Sequence, residues 1–316
     1  MVNIGNKPAR RLVRRCWRDS APLTAASILM IAALVASCLG VFVDPRIVTG
    51  VPAWLKPAKF AISIAIFCGT IAWLFRYITI WPRFLRVMGW LLAAVLVIEV
   101  AIIDLQAARG TTSHFNTATP LDTALFSVMG VSIGILWLAS VAVLIALFRQ
   151  KFQNAEWGWW LRLGMLTTVL GSAGGGLMLR MTAEQAATLR ESHVMRAVGG
   201  HTVGAPDGGR GLPALGWSAE HGDLRIPHFL GLHGLQIIPF IGWLAMRRRR
   251  VQAVRLPFVT AASYISMIAI LTWQALRGQS IVDPDTRTLA AIAVWFGAAS
   301  AAIFLARVPA VAGEGR

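Results

Sequence analysis

Apolar residues along this chain run in long blocks separated by short polar joints. A segment needs about 20 mostly apolar residues to cross a hydrocarbon layer of ~30 Å. Eight blocks of that kind stand at 22–43, 59–79, 84–107, 121–148, 157–180, 226–246, 255–276 and 286–306. The pattern predicts an all-α, polytopic integral membrane protein: a single helical domain over 1–316 with about eight transmembrane helices. One connection is long. Residues 181–225 join the fifth and sixth blocks, and a loop of that length without regular structure is usually functional or disordered. Its first part, 182–198, can form a short amphipathic helix with Thr182 and Gln185 as a capping box. The rest, around Gly199-Gly200 and Gly208-Gly209-Arg210-Gly211, reads as irregular.

Lys and Arg in short connections favour the cytoplasmic side of a membrane. They gather before the first block, then at Arg76, Arg83 and Arg86, at Arg149, Lys151 and Arg162, at Arg247 to Arg250 with Arg255, and at Arg307 and Arg316. With the N-terminus inside, 19 of the 30 basic residues fall on the cytoplasmic side. This predicts a multi-pass protein of a bacterial-type inner (plasma) membrane, with cytoplasmic N- and C-termini and an extracytoplasmic loop at 181–225. Gly130-x-x-x-Gly134 and Gly171-x-x-x-Gly175 are expected to bring helices close together. Trp157, Trp159 and Trp160 suit an interfacial belt.

Composition agrees with lipid as the principal partner. The chain is 56% hydrophobic and 14% charged, against roughly 25% charged for soluble domains. Its mean hydropathy is +0.64. The net charge of +16 does not point to nucleic acid, because the basic residues sit at block ends, where they set topology. The cysteines Cys16, Cys38 and Cys68 give no disulfide framework. Val35-Ala36-Ser37-Cys38 has the form of a lipoprotein cleavage site, and a patch of small residues in a first transmembrane helix has the same form.

Ionisable residues inside a span are costly and point to function. Here they lie towards one side. The third block carries Glu99, Asp104 and Gln106, and the sixth carries His228, His233 and Gln236. Counted from the extracytoplasmic ends at 1.5 Å per residue, Glu99 is about 12 Å deep, His233 about 10 Å and Gln236 about 15 Å. Glu99 can therefore meet His233 or Gln236 at one level. All six histidines belong to the same side, and near them come Lys56, Lys59, Arg109, Asn116, Asp223 and Arg225.

Glu99, His114 and His233 are the candidate catalytic groups. Lys56, Lys59, Gln106, Arg109, Asn116, Asp223, Arg225 and Gln236 are candidates for ligand binding. His114, His228 and His233 are candidate metal ligands, with one haem or one transition-metal ion as the group they would hold. The spacing of His228 and His233 turns their rings about 140° apart on a regular helix, so one helix cannot easily supply both to one ion. The first reading is a metal- or haem-dependent enzyme acting on a lipid-soluble or amphiphilic substrate. A transporter for a small anion and a membrane binding or assembly factor are the alternatives. Phosphate-loop and H-E-x-x-H patterns do not occur in the chain.

Overall fold

The structure is a computed structural model that describes residues 7–193, 195–248 and 254–307. Among these, the helices are α1 (Lys7–Asp19), α2 (Ala21–Val43), α3 (Leu55–Phe75), α4 (Pro82–Ala108), α5 (Pro120–Arg149), α6 (Ala155–Ala173), α7 (Ala183–Ser192), α8 (Arg225–Leu232), α9 (Gly234–Arg247), α10 (Arg255–Leu276) and α11 (Thr286–Arg307). The strands among the described residues form two short antiparallel pairs, β1 (Ile47–Val48) with β2 (Val51–Pro52), and β3 (Thr202–Val203) with β4 (Gly222–Asp223). Arg249, Arg250 and Arg316 lie outside the described residues.

Among the described residues, six helices are long and apolar enough to cross a membrane: α2, α3, α4, α5, α10 and α11. A seventh crossing results if α8 and α9, bent by 51° at a short break, form one span. The fifth predicted span is not a single long helix. α6 stops at Ala173 and continues as a 3-10 segment, Gly174–Leu179. The run Gly174-Gly175-Gly176 explains the stop, since each glycine disfavours the helix by roughly 1 kcal/mol relative to alanine.

The chain divides into two compact units. The first holds Met1–Gln150, Met178–Gly200 and Pro206–Gly216, and the second holds Lys151–Leu177, His201–Ala205 and Trp217–Arg316. The long loop is thus divided between them.

In the first unit α2, α3 and α4 pack on one another, α5 packs on α4, and α1 lies on α2 and α3. Ile102 and Ile103 of α4 and Met129 of α5 form a buried cluster, with Phe60 of α3 against it. Local signals set the helix ends. α5 opens at Pro120, whose missing N–H costs nothing in a first turn. Thr119 caps it by accepting the Asp122 N–H. α3 begins at Leu55, four residues before the predicted block, so Lys56 and Lys59 sit in its first turns rather than in a preceding loop. The capping box at Thr182 and Gln185 forms as expected and starts α7. Gly130 and Gly134 face open space, and a Cβ at either would meet no atom within 4 Å. That pair of glycines does not bring helices together within the described residues.

In the second unit α6 packs on α8 and α9, and α10 packs on α6, α8 and α11. The crossing of α6 and α8 is very close, since a Cβ on Gly171 would stand 2.2 Å from the Gly231 Cα. Trp160 is fully buried among Leu163, Ile238, Leu256 and Ala261. Its indole N–H donates to Glu156 Oε1 at 3.3 Å, so Trp160 belongs to the core and not to an interfacial belt. The break between α8 and α9 falls at His233, between Gly231 and Gly234 and upstream of Pro239. Proline cannot donate to the helix ladder and crowds the carbonyl four residues before it. Neighbouring side chains satisfy the freed backbone. Leu235 N–H donates to Thr168 Oγ1 at 2.8 Å, and the Tyr264 hydroxyl donates to the Leu230 carbonyl at 2.8 Å.

Candidate functional site

Glu99, Ile103 and Gln106 follow one another at spacings of four and three, so they share one face of α4, and that face is buried. Near the end of this face the chain leaves α4, forms the loop 109–119 and enters α5. Two ties fix the loop's ends. Asp122 Oδ1 accepts from Arg109 Nη1 at 2.6 Å and from Gln106 Nε2 at 2.9 Å. Asp122 Oδ2 accepts from the Thr119 hydroxyl at 2.6 Å. Inside the loop, buried Asn116 donates to Thr111 Oγ1 and to the Thr112 carbonyl.

A segment of the long connection holds the loop from outside. Thr117 N–H donates to the Arg196 carbonyl, Val198 N–H donates to the Phe115 carbonyl, and Asn116 bridges Ala197. Phe115 takes a φ of +62°, a conformation non-glycine residues adopt reluctantly.

This scaffold points His114 back at α4 and α3. Its Nε2 lies 3.4 Å from Glu99 Oε1, and its Nδ1 lies 3.1 Å from Lys56 Nζ and 3.1 Å from Ser113 Oγ. The Phe60 ring stands 5.5 Å from the imidazole centroid, and Lys56 Nζ lies 5.9 Å from the Phe60 centroid. Glu99 is 1% exposed at its side chain and His114 is 26% exposed. Among the described residues, neither Glu99 oxygen has a hydrogen-bond partner. A carboxylate in that position costs free energy that packing does not return.

The arrangement forms a line of acid–base groups running from a partly exposed lysine to a buried carboxyl. With Lys56 as an ammonium, Nδ1 accepts and Nε2 carries the ring proton, on the side of the ring nearer Glu99. A proton taken up at one nitrogen can then leave from the other.

Other expected ligand-binding residues are already committed to partners. Arg109 is paired with Asp122, and Gln106 bonds both. Lys59 Nζ donates to the Leu215 carbonyl at 2.6 Å. Nearby, Arg46 donates to Asp44, to the Ala108 carbonyl as well, while Trp54 Nε1 donates to Asp44 Oδ2. The hydrogen bonds from Arg46 hold the Asp44 carboxyl well below the usual carboxylate range, and the Arg46 and Trp54 donors explain why.

The second unit holds the remaining candidates. Asp223 is buried, accepts the Ser218 N–H at 2.7 Å and pairs with Arg225 at 2.6 Å. His228 Nδ1 lies 3.0 Å from the Gly171 carbonyl, and the ring fills the space beside Gly175. His233 caps the break between α8 and α9, and Gln236 sits in the first turn of α9. Among the described residues no group of three or more His, Cys, Asp or Glu side chains could hold a metal ion. Sequence reading missed Asp122 and Thr119 as the clamps on Arg109, although Thr119-Pro120-x-Asp122 is a legible helix start.

No protein-family model, curated protein or solved structure matches the chain.

Proposed function

We propose that this protein is a multi-pass membrane protein that carries out acid–base chemistry on a lipid-soluble or amphiphilic molecule at Glu99, His114 and Lys56. The observation that carries this reading is the buried Glu99 carboxyl, without a hydrogen bond among the described residues, facing His114 Nε2 at 3.4 Å while Lys56 holds the other ring nitrogen. A carboxyl kept dry beside a titratable ring suits proton transfer better than helix locking, because a structural carboxyl would be expected to collect hydrogen bonds.

In this reading the protein has eight crossings, with α6 and the α8–α9 pair completing the six long helices. Arg76, Arg83, Arg86 and Arg149 stand at the helix ends opposite the site, and by the positive-inside rule their charge supports an extracytoplasmic site in an inner membrane. Exposed Val131, Leu138, Val294 and Phe296 meet lipid tails.

Transport of a small solute is a second reading, favoured by the bent α8–α9 pair, since broken spans often line transport sites. Its anion-selective form is weakened by the pairing of Arg46, Arg109, Arg225 and Arg277 with carboxylates.

The test compares the amphiphile content of membranes from cells producing the wild type, Glu99→Gln or His114→Ala, by mass spectrometry. The reading expects at least one amphiphile to be depleted and one product to accumulate with the wild type alone. Identical profiles for all three proteins would remove it.

A further inference from the structure

α1 carries five arginines in nine residues, Arg10, Arg11, Arg14, Arg15 and Arg18, and all five are exposed. At about 100° per residue they fall on one arc of ~140°, and Leu12, Val13, Cys16 and Trp17 fall on the opposite arc. The apolar arc is only partly used by the protein. Cys16 is buried, but Leu12 is 55%, Val13 44% and Trp17 48% exposed.

The helix is held in place at its C-terminal end. Asp19, its one acidic residue, accepts from Arg76 Nη2 at 2.9 Å at the end of α3. Ser20, in an extended conformation, then leads directly into α2. Where α2 enters a membrane, α1 therefore stands at the level of the lipid headgroups, with an uncovered apolar stripe and an arginine face opposite it. That is the composition of an interfacial helix on an anionic leaflet.

We propose that α1 lies in the membrane interface and binds anionic phospholipid headgroups through Arg10, Arg11, Arg14, Arg15 and Arg18, with Leu12, Val13 and Trp17 set into the acyl boundary. The argument rests on charge complementarity and on continuity with α2, and it does not depend on the chemistry at Glu99.

The full chain is reconstituted in nanodiscs of phosphatidylcholine alone and of phosphatidylcholine with phosphatidylglycerol at equal packing. Deuterium exchange is followed at the α1 amides. The proposal expects exchange at least about tenfold slower with phosphatidylglycerol, given about 1 kcal/mol per basic residue near an anionic surface. High salt should abolish the difference. Replacing all five arginines with glutamine should abolish it too, and replacing them with lysine should keep it. Equal exchange in the two lipids would overturn the proposal, as would a glutamine variant that keeps the difference. Inorganic phosphate producing the same protection in phosphatidylcholine discs would assign the face to free phosphate and also overturn it.

Discussion

Glu99 Oε1 stands 3.4 Å from His114 Nε2, while Lys56 Nζ stands 3.1 Å from the other ring nitrogen, so one imidazole bridges an acid and a base. Three separate segments contribute: the first turn of α3, the buried face of α4, and the α4–α5 loop. None of the three residues is near another in sequence. The arrangement exists only because Asp122 clamps the loop's ends and the 195–198 segment holds its middle.

A residue kept for chemistry costs stability, and removing it should return some. Glu99→Gln is expected to leave the thermal unfolding midpoint of the detergent-purified protein unchanged or raised, with a free-energy change within about 1 kcal/mol. A fall of several degrees would make Glu99 a structural residue.

The loop that carries His114 depends on the start of α5. Thr119→Ala removes the cap on Asp122 N–H and a hydroxyl that donates to Asp122 Oδ2, and should cost about 1 kcal/mol. Deuterium exchange should rise first in residues 111–119. Uniform loosening across α4 and α5 would contradict the assignment of Thr119 to the loop.

The close crossing of α6 and α8 gives a sharper contrast. Gly171→Ala places a Cβ 2.2 Å from the Gly231 Cα and should cost about 3 kcal/mol or more, because neither backbone can retreat. Gly130→Ala meets nothing within 4 Å and should be neutral or slightly stabilising, by up to about 1 kcal/mol. Thermal unfolding of the two variants side by side checks the pair.

Much of this fold was legible in the sequence, for physical reasons that differ from case to case. Hydrophobic length alone located α2, α4, α5, α10 and α11, and the capping box located α7. Depth counting placed Glu99 among polar groups near one end of the spans. It put His233 and Gln236 at the same level, but a helical rise gives depth and not the path of a loop, so His114 was not singled out as the neighbour of Glu99. Within the first unit the side chain facing Glu99 is His114, brought there by the loop 109–119. Trp160 was misread because tryptophan is at home both in a belt and in a core, and only packing distinguishes them. The break at His233 was written in Gly231, Gly234 and Pro239, but an apolar block conceals a bend.

Acid should act through the pairs outside the spans. Arg46 holds the Asp44 carboxyl below its ordinary value, and Arg277 does the same for Asp285. A carboxyl whose folded pKa is depressed contributes stability that is complete above its unfolded value of about 4 and is lost as pH falls through the folded value. The stability difference between wild type and Asp44→Asn should thus be largest near pH 7 and shrink below about pH 4. A difference that grows on acidification would reverse the sign and refute the pairing.

The most direct test of the acid–base site is turnover of a membrane lipid extract by the reconstituted protein, followed by mass spectrometry for wild type, Glu99→Gln, His114→Ala and the double variant. Because the two residues act as one unit, each single variant should lose about 10²-fold or more, and the double variant should lose little beyond that. Wild-type turnover retained by either single variant, or losses that multiply in the double, would contradict the account.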